Sequence, residues 1–294
     1  MEKIIFNNTY FNIKDTLECG QVFRFYPHEK GYLVYTKDKC AYCYNENDNA
    51  IIECNVDDRE YFNNYFDLAN NYESIVASAQ ESNYEVLRTS AKIGKGIRIL
   101  NQDIEETLFS FIISQNNNIP RIKSIIEKLC YALGERKKFY GKEYCAFPTI
   151  KAMANKDIEF FKSIGLGYRA GYVKKLAEEI VNGFDANRLK TLETEEIRKE
   201  LIKIYGVGEK VADCVMLFGY HRGDAFPVDT WIEKLYKENF NGKLTDRKKI
   251  SKWLVEEFGE KSGYYQQYLF YYKRSLEKKR EKENKKVIIN AKKD

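Results

Sequence analysis

Histidine is nearly absent from this sequence: His28 and His221 are the only two in 294 residues. A mechanism that needs a histidine base therefore finds few candidates. Long apolar runs are missing too, and none approaches the roughly 20 residues of a membrane-spanning helix. The opening MEKIIFNNTY lacks the apolar core of a secretion signal, so a cytoplasmic protein is expected and no membrane partner. There is no second CxxC to pair with Cys40-Ala41-Tyr42-Cys43 at zinc-site spacing, so packing accounts for these cysteines better than a metal does. The seven cysteines, odd in number and scattered, suit a reducing compartment rather than a disulfide framework. Positive charge is also scarcer than the net +5 suggests. Residues 273–294 hold ten Lys/Arg against four Asp/Glu, which leaves the rest of the chain near −1. Any case for a nucleic-acid partner must rest on local placement.

What is present is a soluble globular composition, 44% apolar and 32% charged, on a chain long enough for about two domains. From Gln21 to Asn55, short β-prone runs (QVFRFY, GYLVYT, CAYCYN, AIIECN) alternate with turn clusters. Spacing this short implies an antiparallel meander. Asp57 to Tyr72 reads as one helix. Near Gly96 the pattern becomes helical: Asp103-Ile104-Glu105-Glu106 supplies a capping box, with Ile104, Leu108, Phe111 and Ile112 on one face. The expected fold is α+β, with an antiparallel-sheet domain over 1–95, a helical domain over 96–275, and a charged tail over 276–294 that continues as a fraying helix and solvated end.

The most informative stretch is Leu201 to Trp231. An apolar helical end turns through Gly206-Val207-Gly208 into a second helix beginning at Glu209-Lys210, which makes a helix-hairpin-helix. Two glycines one residue apart allow positive φ and close backbone approach. The unpaired N–H groups at the start of the second helix form a site for a phosphate of a nucleic acid backbone. Lys210 in that first turn sits where the helix dipole disfavours another positive charge, a poor place for stability and a good one for nucleophilic chemistry. Pro227 stops the preceding segment, and Asp229 stands at the mouth of the next helix as a cap. Thr230 and Glu233 offer an alternative capping box that would leave Asp229 free.

These residues resemble the helix-hairpin-helix DNA glycosylases that carry a catalytic lysine after the hairpin and an aspartate at the following helix. Within that superfamily the chain is similar to the 8-oxoguanine DNA glycosylases. The resemblance implies that Lys210 attacks the sugar C1′ and that Asp229 stabilises the oxocarbenium charge. It also implies that the base is held among Gly20, Cys214, Gln266 and Phe270. Gly20 lies in Leu17–Phe25, which matches the segment whose glycine carbonyl reads the damaged base. Guanine has a bare N7 acceptor where 8-oxoguanine carries a hydrogen, so a fixed carbonyl bonds one and repels the other. Gln266 and Phe270 are four apart on a helix, one for the base's edge and one for its ring. Asn116 matches the residue that fills the space of the flipped base, while Arg121, Tyr168 and Arg169 match those that hold the opposite cytosine.

The implied function is excision of 8-oxoguanine opposite cytosine from double-stranded DNA through a lysine Schiff base, with β-elimination at the abasic site. The protein is expected to act without cofactor or metal, as a monomer, and to associate with the nucleoid in a bacterial host. Trp231 departs from a family pattern that often places histidine there. No four-cysteine cluster follows Asp229, so the iron–sulfur site of related branches is not expected. Two other readings remain: a monofunctional alkylated-base glycosylase, for which Lys210 is out of place, and a non-catalytic DNA-binding module built on the hairpin alone.

Overall fold

The computed structural model describes residues 1–290, with side chains through 277. The expected tail therefore falls partly outside the described residues, in its last four positions and in its side chains from 278 onward. Five strands, β1 (Glu2–Asn7), β2 (Phe25–His28), β3 (Gly31–Thr36), β4 (Lys39–Glu46) and β5 (Asn49–Cys54), form an antiparallel sheet in the order β1-β5-β4-β3-β2. The last four strands make the expected meander through two-residue turns. Glu29, Lys37 and Asn47 begin those turns at φ 45°, 49° and 51°, the left-handed geometry that matches the twist of paired strands.

Four sequence readings change here. The first strand of the sheet, β1, was not anticipated; it closes the edge beside β5. The run QVFRFY is a strand only from Phe25, because Gln21 and Arg24 turn inward to tie the sheet to the helices. Fully buried Gln21 donates to the carbonyls of Thr16 (2.9 Å) and Arg98 (2.8 Å) and accepts from the Leu100 N–H. Arg24 pairs with Glu106 at 3.1 Å. Glu106 thus takes up Arg24 instead of closing a capping box on Asp103, which caps its helix alone. The helix expected over 57–72 breaks after Arg59–Tyr65, where Asp67 has φ 52°. The guanidinium of Arg98, fully enclosed, accounts for the break by bonding the carbonyls of Phe66, Asp67 and Asn70. Those carbonyls are then lost to any continuing helix.

Cys40 and Cys43, three apart on β4, fall on opposite faces of the sheet. Cys43 joins Ala41, Val34 and Ile52 in the core beneath, and Cys40 joins Tyr42, Tyr44 and Tyr144 on the other side. The upper layer includes a small hairpin of β6 (Arg136–Phe139) and β7 (Lys142–Cys145), also unforeseen.

The larger core is helical. Its central helix, Ile104–Ser114, is buried on nearly every side. The helices Tyr72–Gln80 and Glu85–Gly94, counted by sequence with the sheet domain, have their buried side chains in this helical core. The C-terminal helix, Ser262–Asn290, packs along the second of them. Gly94 makes room there, since a Cβ at that position would lie 3.0 Å from the Tyr268 ring.

Candidate active site

The hairpin joins the helices Thr194–Lys203 and Glu209–Phe218. Of its two glycines only Gly206 has positive φ, 88°, and a Cβ there would fall 2.4 Å from the Tyr172 ring. Gly208 is the N-cap of the second helix at φ −98°, with no side-chain cap and nothing within 4 Å of a Cβ. Val207 packs inward beneath them. The two helices are locked by a buried ion pair between Arg198 and Asp213, with the Ser251 hydroxyl at 3.4 Å from the same carboxylate. The first turn of the second helix therefore presents its N–H groups from a braced support.

Lys210 projects from that turn, half-buried, with its ammonium 5.3 Å from the centre of the Phe111 ring. One turn on, Cys214 is hydrogen-bonded to it, and burial pushes the Cys214 thiol up while Lys210 pulls it down. Asp229 caps the helix Thr230–Asn239, its Oδ1 accepting from Trp231 N (3.0 Å) and Ile232 N (2.9 Å). The alternative capping box is not formed, because Glu233 turns outward to Lys237 and Arg247. The helix start thus uses one carboxylate oxygen of Asp229 and leaves Oδ2 out of the cap. Burial raises the Asp229 carboxyl above its ordinary value; the two N–H bonds and the charge of Lys210 pull it back.

Lys210, Asp229, Gly20, Cys214, Gln266 and Phe270 line one cleft, with Phe111, Phe218, Pro227 and Gln267 completing its walls. Four parts of the chain supply it: the loop after the first helix of the sheet domain, the central helix, the hairpin segment and the C-terminal helix. Its free volume is about 50 Å³, the space of a few waters. The Gln266 side chain is buried; its Nε2 donates to the Pro227 carbonyl at 3.2 Å, and its Oε1 has no partner. An unmet acceptor in a closed cleft costs about 1–3 kcal/mol, which a ligand with a matching donor would recover.

Asn116, Arg121 and Tyr168 gather at a second, exposed place. Asn116 has φ 46°, and its Nδ2 donates to the Tyr168 hydroxyl at 3.3 Å. Arg121 is exposed and makes one long bond, 3.4 Å, to the Gly165 carbonyl. Arg169 does not project with them. It is 3% exposed and donates to the carbonyls of Gln115 (2.7 Å) and Asn116 (3.0 Å). As the loop stands, Arg169 supports Asn116 from beneath. Sequence reasoning passed over Gln115, whose Nε2 donates to the Gly206 carbonyl at 2.9 Å and so fastens this loop to the hairpin. Trp231, half-buried, lines a neighbouring apolar cleft with Phe25, Pro27, Tyr32 and Pro120.

An antiparallel sheet leading into helices, with a lysine beyond the hairpin and an aspartate capping the next helix, is the architecture of a helix-hairpin-helix DNA glycosylase. Comparison with known proteins agrees. Residues 3–108 match the 8-oxoguanine DNA glycosylase N-terminal domain, and residues 109–260 the HhH-GPD superfamily of base excision DNA repair proteins. A crystal structure of the Clostridium acetobutylicum 8-oxoguanine glycosylase/lyase, bound to double-stranded DNA containing cytosine opposite 8-oxoguanine, superposes with a TM-score of 0.89. The two are 36% identical, over 94% of this chain and 96% of that one. A probable N-glycosylase/DNA lyase of Methanothermobacter thermautotrophicus is 28% identical over 232 residues, 72% of this chain and 73% of its own length. The N-glycosylase/DNA lyase of Saccharomyces cerevisiae is 36% identical over 159 residues, 50% of this chain and 42% of its own. The chain belongs to the 8-oxoguanine DNA glycosylase/lyase family of the HhH-GPD superfamily, and is accordingly a bifunctional DNA N-glycosylase/DNA lyase.

Proposed function

We propose that this enzyme removes 8-oxoguanine from duplex DNA, preferentially where it lies opposite cytosine, through an imine formed on Lys210. The observation that carries the reading is the unpartnered Gln266 Oε1 in the same cleft as the Lys210 amine and Asp229. An extruded guanine-type base presents N–H donors on its Watson–Crick edge that would satisfy that oxygen, with Phe270 against the ring. A carbonyl at Gly20 would accept from the N7–H that 8-oxoguanine has and guanine lacks.

In this mechanism the neutral Lys210 amine attacks C1′ as the bond from C1′ to N9 breaks, and the base departs with the bonding pair and takes up a proton. The Asp229 carboxylate, held by Trp231 and Ile232, stabilises the positive charge developing on the sugar. Loss of the ring oxygen from C1′ gives the Schiff base, from which a C2′ proton and the 3′ phosphate leave by β-elimination. Hairpin amides at Gly208 and beyond would hold a backbone phosphate. Asn116 would occupy the vacated stack, with Arg121 and Tyr168 at the cytosine.

Incubation with a labelled duplex containing 8-oxoguanine opposite cytosine, with borohydride present, should yield a covalent adduct. The adduct should be absent in Lys210→Gln, with excision lowered on the order of a thousandfold or more. An undiminished adduct in that variant would remove Lys210 from the mechanism.

A further inference from the structure

The C-terminal helix presents more to the cleft than the two residues that would hold a base. One turn beyond Phe270, on the same face, Arg274 reaches across to the sheet domain. Its guanidinium donates to the carbonyl of Glu18 and, at 3.2 Å, to that of Cys19. Gln267, on the adjoining face, donates to the same Cys19 carbonyl at 3.1 Å. The next residue is Gly20, at φ 104°, where a Cβ would lie 2.9 Å from an Arg274 nitrogen and 3.2 Å from the Phe270 ring. The loop is thus pinned at two successive carbonyls immediately before the glycine, and the glycine has neither the conformation nor the room for a side chain. The peptide that enters Gly20 is held from outside its own domain, by a helix more than 240 residues away in sequence, and on the far side of the glycine Gln21 is anchored through its buried side chain and its own carbonyl.

We propose that Arg274 is a positioning residue for lesion discrimination: by holding the Glu18 and Cys19 carbonyls it fixes the direction of the Gly20 carbonyl, and with it the ability to tell a base that carries N7–H from one that does not. The proposal rests on the reading of Gly20 given above. The physical reason is that discrimination by one proton depends on a carbonyl that cannot swing away from a bare N7; a peptide free to rotate would relieve the repulsion. Arg274 also lies against Phe270, its guanidinium carbon 5.9 Å from the ring centre, so the wall that stacks on the base and the wall that reads it share one support. The amine chemistry on the far side of the cleft has no part in this arrangement.

The test uses the full chain and two activities that make different demands. Excision of 8-oxoguanine needs the reading wall, whereas strand cleavage at a preformed abasic site needs Lys210 but no base. Arg274→Met should lower single-turnover excision of 8-oxoguanine about thirtyfold while leaving abasic-site cleavage within about twofold. It should also shrink the preference for 8-oxoguanine over 8-methoxyguanine, whose methylated oxygen removes the N7 hydrogen. Arg274→Lys, which keeps one donor for these carbonyls, should restore part of both excision and preference and guards against a folding failure in the methionine variant. Equal loss of excision and abasic cleavage in both variants, or an unchanged preference, would overturn the proposal. Wild-type protein that cleaves abasic sites yet is inert toward 8-oxoguanine would overturn the reading of Gly20 itself, and this proposal with it.

Discussion

The cleft around Lys210 and the exposed edge around Asn116 are held in opposite ways. In the cleft, each side chain is tied at one end to something buried: Asp229 to two backbone N–H groups, Gln266 to the Pro227 carbonyl, the lysine's helix to its partner through Arg198 and Asp213. At the edge, Asn116 and Arg121 are exposed and make single bonds of 3.3 and 3.4 Å. Beneath them, however, lie Arg169 and Gln115, which are well bonded. Residues proposed to perform chemistry are fixed individually, whereas those proposed to meet the opposite strand are free at their tips and fixed at their roots. That division suits the tasks: a nucleophile must be aimed, while a side chain entering a DNA stack must adjust to it.

The comparison breaks most severely where the brace of the cleft is cut. Asp213→Ala leaves the Arg198 guanidinium buried beside Glu195 and Glu209, at 3.1 and 4.0 Å, which compensate in part. Loss of one partner of a buried pair costs about 3–5 kcal/mol, so a fall in the urea midpoint equivalent to about 3 kcal/mol is expected, with DNA affinity and abasic cleavage falling together. A variant as stable as the wild type would show that the hairpin does not depend on this pair.

Asp229 sharpens the contrast from the other side, since its charge is costly where it sits. Burial raises its carboxyl above the ordinary 3.8. A raised folded-state pKa means that the group's stabilising contribution is complete below the unfolded value and is lost as pH rises through the folded one. Asn caps helices about as well as Asp. Asp229→Asn should therefore melt above the wild type at neutral pH, with the gap closing as pH falls toward 4, and should lose the acid limb of the excision profile along with most of the rate. A melting gap that widened in acid would reverse the sign and the argument.

At the edge the effects should be smaller and divided. Arg121→Ala should leave stability unchanged within about 0.5 kcal/mol and reduce the preference for cytosine about tenfold. Arg169→Ala should cost about 1–3 kcal/mol, because it strips donors from two loop carbonyls, and should weaken excision opposite every base alike. If Arg169→Ala instead changed the opposite-base preference at full stability, its buried position would not be the one it holds on DNA.

How far the site could be read from sequence follows from the range of the signals. The hairpin, Lys210 and the Asp229 cap announce themselves within a few residues, through glycines, a proline and helix-start chemistry. Helical spacing puts Gln266 with Phe270, and Lys210 with Cys214, on shared faces, but it was the resemblance that singled them out as site residues. Gly20 needed the resemblance, because nothing local distinguishes it from a glycine that begins a strand. The supports were illegible for the reason they matter: Arg24 meets Glu106 82 positions on, and Arg274 meets Cys19 255 positions back. The Asp57–Tyr72 reading failed in the same way, since the residue that stops the helix, Arg98, lies outside it.

The smallest predicted effect separates the two hairpin glycines. Gly206 is required by the fold: alanine there would combine a φ of 88° with a 2.4 Å approach to Tyr172, a strain of about 1–3 kcal/mol or more. Gly208 is required by nothing within the described residues; its φ of −98° is ordinary and a Cβ meets no atom within 4 Å. Alanine is a poorer N-cap than glycine, so Gly208→Ala should cost about 1 kcal/mol in urea unfolding. The added methyl would nonetheless stand in front of the amides that face outward from the second helix, where the proposed phosphate would approach closely. Binding to an undamaged duplex, measured across a salt titration, should therefore weaken severalfold in a protein that melts slightly below the wild type. Equal affinity in the two proteins would place the phosphate elsewhere and leave Gly208 without a role that the hairpin needs.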